Sequence, residues 1–179
     1  TGHRRESFGE TFEGLCRAMR RVVDAHEDVL LAYPVHLNPN VRRPVEAILA
    51  GHPRIALLEP MPYDAFVWLL DRSHLVMTDS GGVQEEAPAL GKPVVVMRET
   101  SERPEAVESG NSVIAGTSEE AIFAAADELL GSEAWIADFN RRALAHDRHL
   151  VNLAEYPAER GRMEVEHLVT GASQPAPTP

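Results

Sequence analysis

The chain has 179 residues, of which 44% are hydrophobic and 25% charged, with a formal net charge of -11. These proportions fit a globular chain with one sizeable core and fall short of two ordinary domains. The negative balance argues against nonspecific nucleic-acid or anionic-membrane partners, because phosphates are repelled overall, but leaves room for a local basic pocket that takes one small anion. No apolar run reaches the roughly 18 residues of a spanning helix, and no basic segment leads into an apolar one as in a secretory signal. The single cysteine, Cys16, excludes an intramolecular disulfide and fits a reducing, cytoplasmic compartment.

The first residues, "TGHRRESFGE", read as a turn already under way with no strand before it, so the chain is expected to be cut from something longer. From Phe8 to His26, apolar residues at Phe8, Phe12, Leu15, Met19, Val22 and Val23 recur at helical spacing. "DVLLAYPVH" is a short apolar run suited to a buried strand, and "VRRPVEAILAGH" returns to helix with Pro44 in its first turn. "RIALLEP" reads as strand, "YDAFVWLLDRS" as helix, "HLVMTD" as strand, "GGVQEEAPALG" as a short helix, and "PVVVM" and "NSVIAG" as strands. "TSEEAIFAAADELLG" carries a helix-start signature, with Thr117 or Ser118 at the N-cap and glutamates in the first turn. "EAWIADFNRRALA" and "AEYPAERGRMEVEHLV" are expected as further helices, and "GASQPAPTP" as a disordered tail.

Strands alternate with helices, and the strands are continuous apolar runs without an in-out pattern. That predicts a parallel sheet covered on both faces, an α/β, Rossmann-like doubly wound domain over residues 1–170 with a tail over 171–179. In such sheets ligands bind beyond the carboxyl ends of the strands, so the strand-to-helix turns are where chemistry is sought.

Ser80-Gly81-Gly82 ends one strand and opens a helix. Amide N–H groups at a helix start lack partners and carry partial positive charge, so they can bind phosphate, and glycine lets the ligand come close. The alternative is a plain tight turn. Glu86 lies one turn further on; a carboxylate accepts two hydrogen bonds, which suits a ribose diol, against the reading of a solvated helix charge. "HRRE" puts His3, Arg4 and Arg5 in one turn, where guanidinium matches phosphate and imidazole can donate to it or move a proton, or where the cluster is only surface charge. Arg103, in the polar loop after "PVVVM", is either an anion clamp or half of a structural ion pair. His36 also follows a strand, and a lone loop histidine is more often structural. Phe66 and Trp68 read as core, although Phe66 could face a base. No metal cluster and no Ser-His-Asp order stands out, so no metal and no cofactor is expected. Four of these turns fall on one edge of one predicted sheet.

"TGHRRESFGE", "YPVHLNPNV" and "TDSGGVQEEAPALGKPVVVMRETSERPEAVESGNSVIAGT" resemble the C-terminal half of the bacterial non-hydrolysing UDP-N-acetylglucosamine 2-epimerases, from Thr1 to about Gly131. The resemblance implies one half of a two-domain GT-B fold with the active site in the cleft, and a homodimer at full length. It implies interconversion of UDP-GlcNAc and UDP-ManNAc by anti elimination of UDP, through 2-acetamidoglucal, and re-addition after inversion at C2. By family pattern Ser80, Gly81 and Gly82 hold the UDP diphosphate, Glu86 the ribose, and Phe66 lies beside the uracil. Arg103 and His3 match positions that contact the nucleotide sugar, with His3 catalytic beside the leaving diphosphate. Arg4 and His36 match positions that contact a second, activating UDP-GlcNAc in several bacterial members. The family's acid/base carboxylates for C2 belong to an N-terminal domain absent from this sequence, so the fragment alone is expected not to turn over. The family's Asn-Pro-Tyr-Gly-Asp-Gly segment is replaced here by "AHDRHLVNLAEYPAERGRM". The rivals are a hydrolysing relative that releases ManNAc and UDP, against which the intact "HRRE" argues, a non-catalytic nucleotide-sugar-binding module, and a GT-B glycosyltransferase, against which the central block argues.

Overall fold

A computed structural model describes residues 1–100 and 112–131. After a 3-10 turn at Arg5–Ser7, the elements in chain order are α1 (Glu10–Ala25), β1 (Leu31–Pro34), α2 (Pro39–Leu49), β2 (Ile55–Leu58), α3 (Tyr63–Arg72), β3 (Val76–Thr78), α4 (Val83–Ala89), β4 (Val94–Val96), β5 (Ser112–Ile114) and α5 (Glu119–Gly131). Every element read from the apolar pattern within these residues is present. Each strand pair is parallel: β1 with β2, β3 with β4, and β4 with β5.

Two layers of side chains show why the strands read as continuous apolar runs. Met77, Val95 and Met97 point to one face and join Phe12, Leu15, Met19, Val41, Val45, Ile122 and Leu129 of α1, α2 and α5. Val76, Val94 and Val96 point to the other face and pack with Leu70, Val83 and Ala87 of α3 and α4. A strand buried on both faces has no polar side to display. Each fully buried aliphatic side chain contributes about 1.5–3 kcal/mol relative to exposure. Cys16 lies in the first layer, where burial pushes its thiol up to about 12, so it packs as a small apolar group.

Several local expectations are corrected. The first helix does not run from Phe8: Gly9 takes φ 90, a backbone region that favours glycine, and the corner separates the 3-10 turn from α1. Pro44 is not in a first turn. α2 starts at Pro39, with Asn38 Oδ1 accepting the N–H of Asn40 at 3.0 Å, and Pro44 sits inside the helix. At α5, of the two caps expected, Ser118 is the one used: its hydroxyl accepts the N–H of Ala121 at 3.2 Å, while the Thr117 N–H donates to Glu99. The single predicted sheet is two: β1–β2 and β3–β4–β5 are not joined by a ladder. Between them lies a cavity of about 570 Å³. Arg103, the last two predicted helices and the tail lie outside the described residues.

Candidate functional site

The carboxyl end of β3 and the first four residues form one unit. Thr1 N–H donates to the Met77 carbonyl at 2.8 Å, and Asp79 N–H donates to the Thr1 carbonyl at 3.4 Å. His3 and Arg4 therefore emerge beside the end of β3. Asp79 is fully buried. Its carboxylate accepts the His3 N–H with both oxygens, at 3.1 and 2.9 Å, and the Arg4 N–H at 2.9 Å. A buried carboxylate without such donors would be strongly unfavourable, so these bonds offset its desolvation and fix the turn.

His3 has 40% of its side chain exposed, with Nδ1 3.9 Å from Asp79 Oδ1. Its ring stacks on that of His36 with centroids 5.5 Å apart and planes 12° apart. Burial lowers the His3 pKa below its ordinary value; Asp79 opposes that shift, while His36 and Arg4 add to it. The His36 Nδ1 accepts the N–H of Asn38 at 3.1 Å, which fixes its tautomer with the proton on Nε2. Arg4 Nη1 and Arg98 Nη2 stand 3.6 and 3.3 Å from the same Glu6 oxygen. Two guanidiniums thus share one carboxylate near the turn.

Immediately after Asp79 comes the mouth of α4. The Ser80 N–H donates to Thr78 Oγ1 at 3.0 Å, and the Gly82 carbonyl accepts the N–H groups of Glu85 and Glu86, each at 3.0 Å. The amides of Gly81, Gly82 and Val83 have no acceptor among the described residues. Neither glycine has positive φ. Gly82 has ordinary helical dihedrals, φ -64 and ψ -44, and a Cβ there would come no nearer than 4.0 Å to Glu86 Oε1. Among the described residues, neither backbone conformation nor packing requires glycine at 82, which leaves its suitability as the N-cap of α4 and room for close approach by a ligand. Glu86 itself is half-buried beside that space. Desolvation raises its pKa, a hydrogen bond from Tyr63 opposes the rise, and Glu85 adds to it.

The sequence profile of the UDP-N-acetylglucosamine 2-epimerase family matches residues 1–147. The chain belongs to that family. The UDP-N-acetylglucosamine 2-epimerase of Escherichia coli K12 is 52% identical over 133 residues, 74% of this chain and 35% of the relative. The Yersinia pestis enzyme of the same name is 53% identical over the same span. The chain thus matches about a third of the length of these relatives. Among solved structures, the Neisseria meningitidis UDP-GlcNAc 2-epimerase bound to UDP-GlcNAc superposes with TM-score 0.74 and 34% identity, over 94% of this chain and 43% of that one. The S. aureus MnaA–UDP co-structure gives TM-score 0.78 and 34% identity, over 99% and 47%. The fold is the Rossmann-like half of the GT-B architecture that this family has, as the resemblance implied.

Of the residues singled out in the sequence, His3, Arg4, His36, Ser80, Gly81, Gly82 and Glu86 surround one strand-end region. Phe66 is half-buried in α3 against the second core layer and borders the cavity between the sheets. Asp79, Arg98 and Tyr63 contact the candidate residues and were missed by sequence reasoning. Asp79 read only as the end of a strand, although a buried carboxylate beside Ser-Gly-Gly is a signal of its own. Arg98 was passed over for Arg103, although it directly follows the same strand run. No group of three or more metal-ligating side chains occurs among the described residues, and no helix among them is long and apolar enough to cross a membrane.

Proposed function

We propose that the chain is the UDP-binding half of a non-hydrolysing UDP-GlcNAc 2-epimerase, which interconverts UDP-GlcNAc and UDP-ManNAc together with an N-terminal domain, as a homodimer in the cytoplasm. The observation that carries the reading is the juxtaposition at the end of β3: amides at Gly81, Gly82 and Val83 without an acceptor among the described residues, a glycine at 82 that those residues leave open to close approach, and an imidazole and guanidiniums on the adjoining turn. That is an anion site open to a diphosphate. Relatives solved with UDP-GlcNAc and with UDP support the nucleotide assignment.

In this reading the α4 mouth and Ser80 hold the diphosphate, and Glu86 accepts hydrogen bonds from the ribose hydroxyls while Tyr63 holds its carboxylate. Phe66 lies beside the uracil, and Arg103 clamps the nucleotide sugar. The C2 proton leaves to a base in the N-terminal domain as the C1–O bond breaks, giving 2-acetamidoglucal and UDP. Negative charge develops on the departing diphosphate, and His3, Arg103 and the amides stabilise it where it forms. UDP then re-adds at C1 with a proton delivered to the opposite face of C2. Arg4 and His36 would contact a second, activating UDP-GlcNAc.

Isothermal titration of UDP into the chain tests the binding half of the proposal: saturable binding that Gly82→Val removes supports it, and unchanged affinity in that variant contradicts it. The protein carrying both halves, given UDP-GlcNAc in deuterated water, should place deuterium at C2 of both epimers. Conversion without deuterium at C2 would contradict the elimination route, and release of free ManNAc would favour the hydrolysing relative.

A further inference from the structure

α3 and α4 meet beside the anion site through an apolar contact and a polar one. Phe66, one turn into α3, packs on the cluster that holds Val83 and Ala87 of α4. Tyr63, three residues earlier and so its neighbour on the α3 surface, keeps 48% of its area exposed. Its hydroxyl donates to the Glu86 carboxylate and so ties the start of α3 to α4. Glu86 Oε1 lies 4.0 Å from the point where a side chain on Gly82 would begin. The carboxylate therefore borders the same space as the amides at the α4 mouth.

A carboxylate offers about four lone-pair positions. Tyr63 takes one of them, and the half-buried setting withholds water from part of the rest. A free glutamate side chain loses much rotamer freedom when a ligand fixes it. Here the phenol has already fixed it, so the remaining positions are aimed before any ligand arrives. Glu86 stands about 5.4 Å, one helical turn, along α4 from Gly82. In a nucleoside diphosphate the sugar hydroxyls are the next polar groups after the phosphates, and the base lies beyond. The order from the α4 mouth to Glu86 to Phe66 follows the order of those three parts.

We propose that Tyr63 is a positioning residue that makes the site selective for ribonucleotides over 2′-deoxyribonucleotides, by fixing the Glu86 carboxylate toward the 2′- and 3′-hydroxyls of the sugar. This rests on the reading of the site as a UDP site, and adds the sugar class it takes and the residue that selects it. A 2′-deoxy sugar brings one donor fewer to a half-buried carboxylate that cannot turn away, and an aimed acceptor left unmet is costly. Without the phenol the carboxylate is free to swing toward water, and the missing hydroxyl then costs less.

The test titrates UDP and 2′-deoxy-UDP into the unchanged chain and into Tyr63→Phe, which keeps the ring. The unchanged chain should bind 2′-deoxy-UDP about 10- to 100-fold more weakly than UDP. In Tyr63→Phe, UDP should weaken by about 5- to 10-fold while 2′-deoxy-UDP changes by less than about twofold, so the discrimination shrinks. A 13C NMR titration of the Glu86 carboxyl should show its pKa rise further in the variant, because the phenol's hydrogen bond holds it down. Equal affinity of the unchanged chain for the two nucleotides would overturn the proposal without recourse to any variant. So would an equal weakening of both nucleotides in Tyr63→Phe, which would mark the tyrosine as structural, or a Glu86 titration that the variant leaves in place. Each of these results leaves the UDP site standing, whereas no binding of UDP to the unchanged chain would remove the site and the proposal together.

Discussion

His3 donates its backbone N–H to both carboxylate oxygens of Asp79, at 3.1 and 2.9 Å, across 76 residues of sequence. That one contact brings the basic turn to the mouth of α4 and makes a single site of two motifs that are far apart in the chain.

Asp79→Asn keeps the shape but replaces one acceptor oxygen with a donor that faces the amides of His3 and Arg4. Leaving buried donors unsatisfied costs about 1–3 kcal/mol, so urea unfolding should show a loss of about 2–3 kcal/mol. UDP affinity should fall with it, because the imidazole and Arg4 lose their fixed position. Full stability in this variant would mean that the carboxylate does not hold the turn.

Tyr33→Phe removes the hydroxyl that satisfies the buried Gly2 carbonyl at 2.8 Å. The expected loss is about 1–2 kcal/mol in chemical denaturation, with the ring's packing kept. An unchanged midpoint would place a water or another donor on that carbonyl.

Gly82→Val should separate stability from binding. The added branches meet open space, with the nearest atom 4.0 Å from the Cβ, at helical dihedrals. The fold should lose about 1 kcal/mol or less, whereas UDP affinity should drop beyond detection by titration calorimetry. Equal losses in both would mark the glycine as structural.

Glu86→Gln should move the two quantities in opposite directions. Desolvation already raises the carboxyl's pKa, so the folded chain binds more protons than the unfolded one just above the ordinary carboxylate range. The carboxylate's contribution to stability therefore falls as pH rises through that window. The group is partly exposed, so the neutral amide should leave stability at pH 7 unchanged or higher by a few tenths of a kcal/mol. Its weaker acceptor should raise the UDP dissociation constant by about 5- to 10-fold. Unchanged affinity would remove Glu86 from the ribose.

Binding of UDP should be accompanied by proton uptake at His3. Burial holds the free imidazole below its ordinary pKa, and a diphosphate beside it would raise that pKa. Affinity should therefore be higher below about pH 6.5 than above it, after allowance for the nucleotide's own titration. Calorimetry in buffers of different ionisation enthalpy should show uptake that His3→Gln abolishes. Without ligand the sign for stability is opposite: the unfolded chain binds the proton more readily, so His3's contribution is lost as pH falls below its ordinary range.

The order of elements was legible because each strand is a short apolar run between turn residues and each helix carries a periodic stripe, such as Phe12, Leu15, Met19 and Val22. The helix start at Ser80-Gly81-Gly82 was legible for the same reason: the hydrogen bonds there join near neighbours in the chain. What the sequence hid depends on pairs distant along the chain. Asp79 with His3 and Arg98 with Glu6 join segments that only folding brings together. The division of the sheet was hidden as well, since apolar runs state that strands are buried but not which edges meet. Pro44 misled because proline is commonest in a first turn, while the actual cap, Asn38, lay just upstream in "HLNPN".

The most direct test of the anion site is a UDP titration of the 15N-labelled chain followed by amide NMR. The account predicts that the amides of Gly81, Gly82 and Val83 shift downfield together as they take up phosphate oxygens, with His3 following. Saturation elsewhere in the spectrum while these three amides stay fixed would contradict it.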